Sequence, residues 1–301
     1  MEKRLFDDIL EWMEKYKRTT VKMATYDRLE TSLNLMERYS IADIPTRDLT
    51  EDDIQDYVNT LTEDGYSFST IRKQFHLISG FLGYTNSIGK ISRVRMPAQT
   101  LVRKPKRDIL VYNPIEQAAL RRVLESDEMP GYFAALLMME TGMRVGECLA
   151  LSWEDVDWQR RAIRVNKTFV RLGNRNRQFV QNEAKSYCSN RTIPMSHTAQ
   201  TYLEKLLRRS DGSGFIFHND THRPLSYEAL RYQITRACDK AGVPYYGQHA
   251  FRHTFATNCY NRGCDVKILS KLLGHSNVSI TYNIYVHLFG DALEEMRKIV
   301  E

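Results

Sequence analysis

The chain has 301 residues, enough for two hydrophobic cores, because a single core seldom grows beyond about 250 residues. Hydrophobic residues at 42% and charged residues at 27% are ordinary for a globular protein and argue against disorder. No apolar run approaches the roughly 20 residues that cross a bilayer, and the first residues lack the apolar centre of a signal peptide, so we expect a cytoplasmic protein. The formal net charge of +6 permits a polyanionic partner.

Cysteine usage indicates a reducing compartment. The five cysteines show no regular pairing, which argues against a disulfide framework, and their spacing does not fit a zinc ribbon. Four of them fall in helical patterns, where a buried structural thiol is the favoured interpretation: Cys148, Cys238, Cys259 and Cys264.

The first 92 residues predict a small all-helical domain. Apolar residues recur at helical spacing in residues 5–13 and 26–36. Thr50 precedes three acidic residues and predicts the start of a third helix, which Gly65 ends. Ser67 is the expected cap of a fourth helix with one apolar face.

Residues 93–108 are predicted to form a basic linker between two domains, because they show no helical pattern of apolar residues and contain two prolines. Standing alone, the segment fits a solvated charged loop equally well. A basic tether also suits a protein that wraps a DNA duplex, because each lysine or arginine that meets a phosphate releases counterions. The linker cations expected to contact DNA are Arg93, Arg95, Arg103, Lys104, Lys106 and Arg107.

Residues 109–301 predict a second domain with helices and a small sheet. A helix begins at Asn113 and Pro114, and a more apolar helix stops near Gly142. After Ser196 the chain is again mostly helical apart from a strand-like run at 215–217. Two later helices have plausible caps at Ser226 and Asp265.

A three-stranded patch is expected between these helices. Residues 162–165 and 178–180 flank a turn at residues 173–174, and residues 191–194 would form a short edge strand that Pro194 limits. The expected fold class is therefore mainly α with a small antiparallel β-sheet.

Residues 247–257 (GQHAFRHTFAT) and 272–275 (LLGH) gather histidines and an arginine on helical segments, and Tyr285 follows His275 by ten residues. Such groups suit a phosphate better than a cation, since imidazole and guanidinium donate hydrogen bonds to anionic oxygens. A tyrosine beside them is a candidate nucleophile. Zinc on two of these histidines is disfavoured, because no third ligand suggests itself.

Two further blocks precede this stretch, residues 141–147 (TGMRVGE) and 185–194 (KSYCSNRTIP). Taken in order, the blocks resemble the tyrosine recombinase family of phage-type integrases, which carries TGxRxGE, a strand lysine before SxRxIP, HxxRHTFAT, and LGH followed nine or ten residues later by tyrosine. The resemblance covers the second domain almost completely and the first more loosely. It implies a helical, SAM-like core-binding domain (1–92) and an α/β catalytic domain (109–301) with a tail helix at about 288–301.

The resemblance implies a site-specific recombinase that cleaves and rejoins DNA through a covalent 3′-phosphotyrosine intermediate, and so integrates or excises a mobile element or resolves DNA. Arg144 and Arg252 would clamp the non-bridging oxygens of the scissile phosphate. Lys185 would protonate the departing 5′ oxygen, and Tyr285 would attack the phosphorus.

The histidines have separate roles by the same resemblance. His249 would transfer a proton with the tyrosine, and His275 would donate a hydrogen bond to the phosphate. Glu147 and His253 would support the site by orienting their neighbours through hydrogen bonds.

No cofactor is expected, because the phosphotyrosine link keeps the phosphodiester energy and rejoining then needs neither ATP nor metal. Residues 83–90 (GYTNSIGK) fail as a phosphate-binding loop, since Ile91 stands where a hydroxyl residue should hold magnesium. The resemblance implies that the partner is double-stranded DNA with specific core sites, on which four copies of the chain assemble as a homo-tetramer. Accessory proteins that set the direction of recombination are also expected, and a membrane is not.

Several alternatives stay open at this stage. Lys167 is a rival for Lys185, and Tyr282 is a rival for Tyr285, because residues three apart share one side of a helix. The tail helix would dock on a neighbouring protomer or pack on its own domain. The alternative functions are a monomeric type IB topoisomerase and a DNA-binding protein without catalysis.

Overall fold

The computed structural model describes residues 3–89, 96, 109–173, 177–181 and 190–285, and of residues 177 and 283–285 the backbone alone. The chain divides into two compact units, one of Met1–Arg107 with Arg171–Arg177 and the other of Asp108–Val170 with Gln178–Glu301. No helix in the described ranges is long and apolar enough to cross a membrane. The six linker cations and the tail at 288–301 lie outside the described residues, so the predicted domain limits stay a prediction.

Among the described residues of the first unit, four α-helices surround one apolar core: α1 (Leu5–Trp12), α2 (Met23–Met36), α3 (Glu51–Glu63) and α4 (Phe68–Ser87). A π-helical turn, Met13–Lys17, continues α1. The hydroxyl of Thr50 accepts a hydrogen bond from the Asp53 amide, and Ser67 caps α4 in the same way. The short polar caps thus set where α3 and α4 begin.

The second unit is built around one buried helix. Its helices are α5 (Pro114–Glu125), α6 (Pro130–Thr141), α7 (Val145–Leu149), α8 (His197–Leu207), α9 (Tyr227–Ala241), α10 (His249–Asn261), α11 (Val266–Leu273) and α12 (Val278–Tyr285). Helix α6 is apolar on nearly every side and packs against α5, α8, α9 and α10. It therefore fixes the relative positions of the helices on either side of it.

In the part of the chain that the structure describes, five short strands form two small sheets: β1 (Val156–Asp157), β2 (Ala162–Val165), β3 (Thr168–Leu172), β4 (Arg177–Gln181) and β5 (Arg191–Pro194). The first sheet has the order β1-β2-β5, and β3 pairs with β4 in the second. In the first sheet β2 runs antiparallel to both neighbours. Mostly helical structure with small antiparallel sheets confirms the predicted fold class.

The predicted pairing of residues 162–165 with 178–180 was wrong. β2 pairs instead with β5, which places Ile163 opposite Ile193, and both side chains are buried in the core of the unit. Residues 166–167 separate β2 from β3, and β3 rather than β2 pairs with β4. The run at 215–217 forms no strand, and Phe215 makes one isolated bridge to Ser152.

A small apolar cluster joins α10 to α11. Its buried members are Ala256, Leu269 and Leu273. Cys259 and Cys264 pack against it half-buried, so the prediction of buried thiols was wrong for these two, whereas Cys148 and Cys238 are buried as predicted. The two half-buried cysteines lie at the end of α10 and in the loop that follows, where the helix leaves the core.

Candidate active site

The two arginines predicted to bind phosphate lie on different elements of the second unit and reach the same turn. Arg144 is the N-cap residue of α7, and Arg252 lies within α10 with 4% of its surface exposed. Arg144 Nη2 donates to the carbonyl of Gly274 at 3.0 Å, and Arg252 Nη2 donates to that of Leu273 at 2.7 Å. The two guanidinium groups therefore meet at the C-terminal end of α11.

A third arginine completes this arrangement. Arg191 Nε donates to the carbonyl of Leu272 at 2.6 Å, so the carbonyls of residues 272–274 each accept from a different arginine. The last carbonyls of a helix have no partner within the helix and carry partial negative charge. The end of α11 thus balances part of the positive charge that gathers here.

Glu147 holds two of the arginines in place. Its carboxylate accepts from both terminal nitrogens of Arg191, at 3.1 and 2.8 Å, and from Nη1 and the backbone amide of Arg144, both at 2.9 Å. Burial acts to raise the pKa of Glu147, but the hydrogen bonds and charges of Arg191 and Arg144 outweigh it and hold that pKa below its ordinary value. The carboxylate is therefore ionised and fixes the direction of the Arg144 side chain.

A left-handed glycine brings Arg144 and Arg252 together. Gly142 ends α6 with φ 63°, and a Cβ added there would lie 2.3 Å from the ring of Phe255. Its carbonyl accepts a hydrogen bond from Arg252 Nη1 at 2.9 Å. The chain can therefore turn from the central helix towards Arg144 while its backbone binds the other arginine.

His275 follows the same turn and contacts Arg252. Its Nε2 lies 2.8 Å from Arg252 Nη2, and its Nδ1 lies 2.8 Å from the hydroxyl of Thr281 on α12. Burial, followed by the charges of Arg252, Arg144 and Arg191, lowers the pKa of the His275 imidazole to about 4. The ring is therefore neutral near pH 7.

The two histidines of α10 are neutral for a similar reason. Burial, followed by His249 and Arg252, lowers the pKa of His253 to about 4. Partial desolvation, followed by the charges of Arg252 and Arg144, also lowers the pKa of His249. His249 is exposed at the start of α10, whereas His253 lies half-buried one turn further on. A neutral imidazole near Arg252 can take up a proton.

Lys167, the alternative to Lys185, forms ion pairs with two carboxylates. Lys167 Nζ lies 2.8 Å from the Glu154 carboxylate and 3.0 Å from that of Asp155, and its side chain is 13% exposed. Burial acts to lower the pKa of Lys167, but the two carboxylates outweigh it and hold that pKa above its ordinary value, which disfavours proton donation. Lys185 lies outside the described residues.

Both candidate tyrosines belong to α12. Tyr285 is the last residue of the helix, and its side chain lies outside the described part of the structure. Tyr282 is 56% exposed.

Two residues of this region, Arg191 and Thr281, were not identified from the sequence as site residues. Arg191 stands inside the 185–194 block, so its position in that block is a signal that could have found it.

The arrangement can bind an anion. Three arginines converge on consecutive carbonyls, and guanidinium groups are donors that suit the oxygens of a phosphate. In the described ranges no group of three or more histidine, cysteine, aspartate or glutamate residues could hold a metal ion. Positive charge held in place before binding stabilises negative charge that develops on a transferring phosphoryl group.

Curated proteins similar to this chain are recombinases and transposases. A XerC-like tyrosine recombinase of Caldanaerobacter subterraneus subsp. tengcongensis is 28% identical over 92% of this chain and 77% of its own length. The tyrosine recombinase XerC of Pediococcus pentosaceus is 29% identical over 73% of this chain and 77% of its own. The Tn916 transposase of Enterococcus faecalis is 27% identical over 56% of this chain and 45% of its own.

Solved structures share the fold along almost the whole chain. The Tn1549 transposon integrase in complex with a circular intermediate DNA aligns with a TM-score of 0.84 at 19% identity and covers 99% of this chain and all of that one. A lambda integrase tetramer bound to a Holliday junction aligns with a TM-score of 0.69 at 18% identity over 94% of this chain and 77% of that one. The phage integrase family matches residues 112–291, which is more than half of the chain, and the protein therefore belongs to that family.

Proposed function

We propose that the protein is a site-specific tyrosine recombinase that cleaves and rejoins DNA strands through a 3′-phosphotyrosine intermediate. One observation carries the proposal: Arg144, Arg191 and Arg252 bind the carbonyls of residues 272–274, directly before His275 and on the side of α11 from which the chain continues to Tyr285. A cluster of cationic side chains next to the helix of a tyrosine suits phosphoryl transfer to a phenol oxygen.

The chemistry assigns one role to each group. The Oη of Tyr285 forms a bond to the phosphorus while the bond from phosphorus to the 5′ oxygen breaks. His249 accepts the phenol proton, and Lys185 gives a proton to the departing oxygen. Arg144 and Arg252 stabilise the charge on the non-bridging oxygens, and their fixed hydrogen bonds to Glu147 and to backbone carbonyls keep them oriented beforehand.

Neither a metal ion nor ATP takes part in this proposal. The new phosphotyrosine bond replaces a phosphodiester bond of similar energy, so a 5′ hydroxyl can reverse the step. The arginines supply the positive charge that a metal ion supplies in other phosphoryl-transfer sites.

The proposed partner is double-stranded DNA with specific core sites, bound by the first unit, the basic residues 93–108 and the second unit. Four copies would join two duplexes, with accessory proteins setting direction. The lambda integrase tetramer on a Holliday junction and the Tn1549 transposon integrase on a circular intermediate DNA support this assembly and a role in moving or resolving DNA elements.

Trapping a covalent adduct tests the proposal without knowledge of the target. The protein is incubated in EDTA and without ATP with a library of nicked duplexes of random sequence, in which cleavage releases a short strand and prevents rejoining. Protein-linked DNA is captured after denaturation and sequenced, and mass spectrometry identifies the linked peptide. We expect enrichment of one sequence family and linkage to Tyr285.

Matched variants sharpen the result. Tyr285→Phe should abolish the adduct, whereas Tyr282→Phe, the same change three residues earlier, should retain it. Adducts that persist in Tyr285→Phe would move the nucleophile to Tyr282. Complete absence of adducts from the wild-type protein across the library would contradict the recombinase function.

A further inference from the structure

His275 is held at both ring nitrogens. Arg252 Nη2 lies 2.8 Å from Nε2, and the hydroxyl of Thr281 lies 2.8 Å from Nδ1. Thr281 is completely buried, so its hydroxyl has no access to bulk water as an alternative partner. The ring orientation of His275 therefore depends on one residue from α10 and one from α12.

The Arg252 contact determines where the ring carries its proton. A guanidinium group can only donate hydrogen bonds, so Nε2 must accept. The ring is neutral near pH 7, because burial and the positive charges around it lower its pKa to about 4. After burial, the contributions that lower this pKa come from Arg252, Arg144, Arg191 and His253, in that order. Nδ1 consequently carries the proton and donates to the Thr281 hydroxyl.

A bound phosphate requires the opposite arrangement. Phosphate oxygens accept hydrogen bonds, so a His275 ring that binds one must donate from Nε2 while Arg252 turns to the phosphate. The half-buried ring then takes a proton from water at Nε2 and gives its Nδ1 proton to water, so the ring stays neutral and the net charge does not change. Nδ1 becomes an acceptor. A hydroxyl can donate to it as readily as it accepted before, whereas a carboxylate can only accept.

The same hydroxyl belongs to the helix of the proposed nucleophile. Thr281 lies four residues before Tyr285 on α12, which is about one helical turn or 6 Å along the axis. A hydrogen bond from His275 to this residue therefore connects the phosphate-binding ring with the helix that presents the tyrosine.

We propose that Thr281 is a positioning residue for DNA cleavage. Its hydroxyl accepts a hydrogen bond from His275 Nδ1 in the free protein and donates one to Nδ1 when DNA binds, so that His275 can release Arg252 and bind the scissile phosphate. This inference rests on the proposed recombinase function. It assigns to Thr281 more than a packing role, although its methyl group also fills buried space.

The first test needs no DNA. In protein with ¹⁵N-labelled histidine at pH 7, the ring nitrogens of His275 should show a proton on Nδ1 and none on Nε2, with the signals assigned by their loss in His275→Gln. Thr281→Val keeps the side-chain shape but removes the acceptor of the Nδ1 proton. The Arg252 contact still keeps Nε2 unprotonated, so the Nδ1 signal should shift and its proton should exchange faster with water. Thr281→Ser, which restores the hydroxyl, should return the wild-type pattern. A wild-type ring with its proton on Nε2 would overturn the proposal.

The second test uses the enriched duplex from the adduct assay. Thr281→Val should slow adduct formation by about tenfold, the change expected when one buried hydrogen bond is lost, and Thr281→Ser should restore most of the rate. Thermal unfolding of both variants checks that the fold is retained. A Thr281→Val protein with wild-type ring signals and a cleavage rate within about twofold of wild type would overturn the proposal. If wild-type protein forms no adduct, the recombinase function fails, and the ring-nitrogen comparison alone decides the Thr281 bond.

Discussion

Replacing Glu147 by glutamine should strongly destabilise the second unit. The carboxylate is 6% exposed, and it accepts four hydrogen bonds from Arg144 and from Arg191, whose side chain is 7% exposed. Glutamine keeps the shape but removes the charge and turns an N–H₂ group towards arginine donors. Removing one partner of a buried ion pair leaves an uncompensated charge and costs about 3–5 kcal/mol. We expect a loss of that size in the free energy of unfolding.

Urea unfolding followed by tryptophan fluorescence measures this loss. The chain has three tryptophans, and a Trp12→Phe background leaves Trp153 and Trp158, which both belong to the second unit. Glu154→Gln is the matched control, because Glu154 pairs with Lys167 but its side chain is 75% exposed, so the same change should cost about 0–1 kcal/mol. Equal losses in the two variants would refute the idea that buried charge pairing holds the site.

Three further changes probe single features. His253 and His275 have pKa values of about 4 when folded and about 6.5 when unfolded. The unfolded state therefore binds more protons, and thermal stability should fall between pH 7 and 5 by up to about 2 kcal/mol per histidine, less so in His275→Gln. Gly146→Ala would place a Cβ 2.6 Å from the Phe169 carbonyl and should cost about 1–3 kcal/mol in urea unfolding. Asn113→Ala removes the cap of α5 and should cost about 1 kcal/mol in the same measurement.

Helix positions were predictable because local chemistry determines them. The caps at Thr50, Ser67 and Asn113 and the left-handed glycine at Gly142 mark helix ends through hydrogen bonds and backbone conformation that neighbouring residues alone decide. Strand pairing was not predictable in the same way. The partner of β2 lies 26 or more residues away at β5, and it is selected by the burial of Ile163 against the core rather than by a nearby turn.

The residues of the candidate site were likewise predictable only where a sequence motif identifies them. Motifs in the sequence pointed to Arg144, Arg252 and His275, whose side chains share one turn in the structure. Arg191 and Thr281 were missed as site residues because their roles depend on partners far along the chain or across a turn: Arg191 reaches Glu147 and the end of α11, and the hydroxyl of Thr281 reaches His275. Residue type alone gives no signal for such contacts.

The contacts that hold α11 in place have a consequence for local unfolding of the protein. This helix is tied down by a small apolar cluster and by three arginine side chains that bind its final carbonyls, whereas α6 is surrounded by apolar side chains. Segments with few buried apolar contacts open locally at lower free energy than the core. Amide hydrogens of residues 266–285 should therefore exchange with deuterium faster than those of α6, and an anion that binds the guanidinium groups should alter exchange at this segment first.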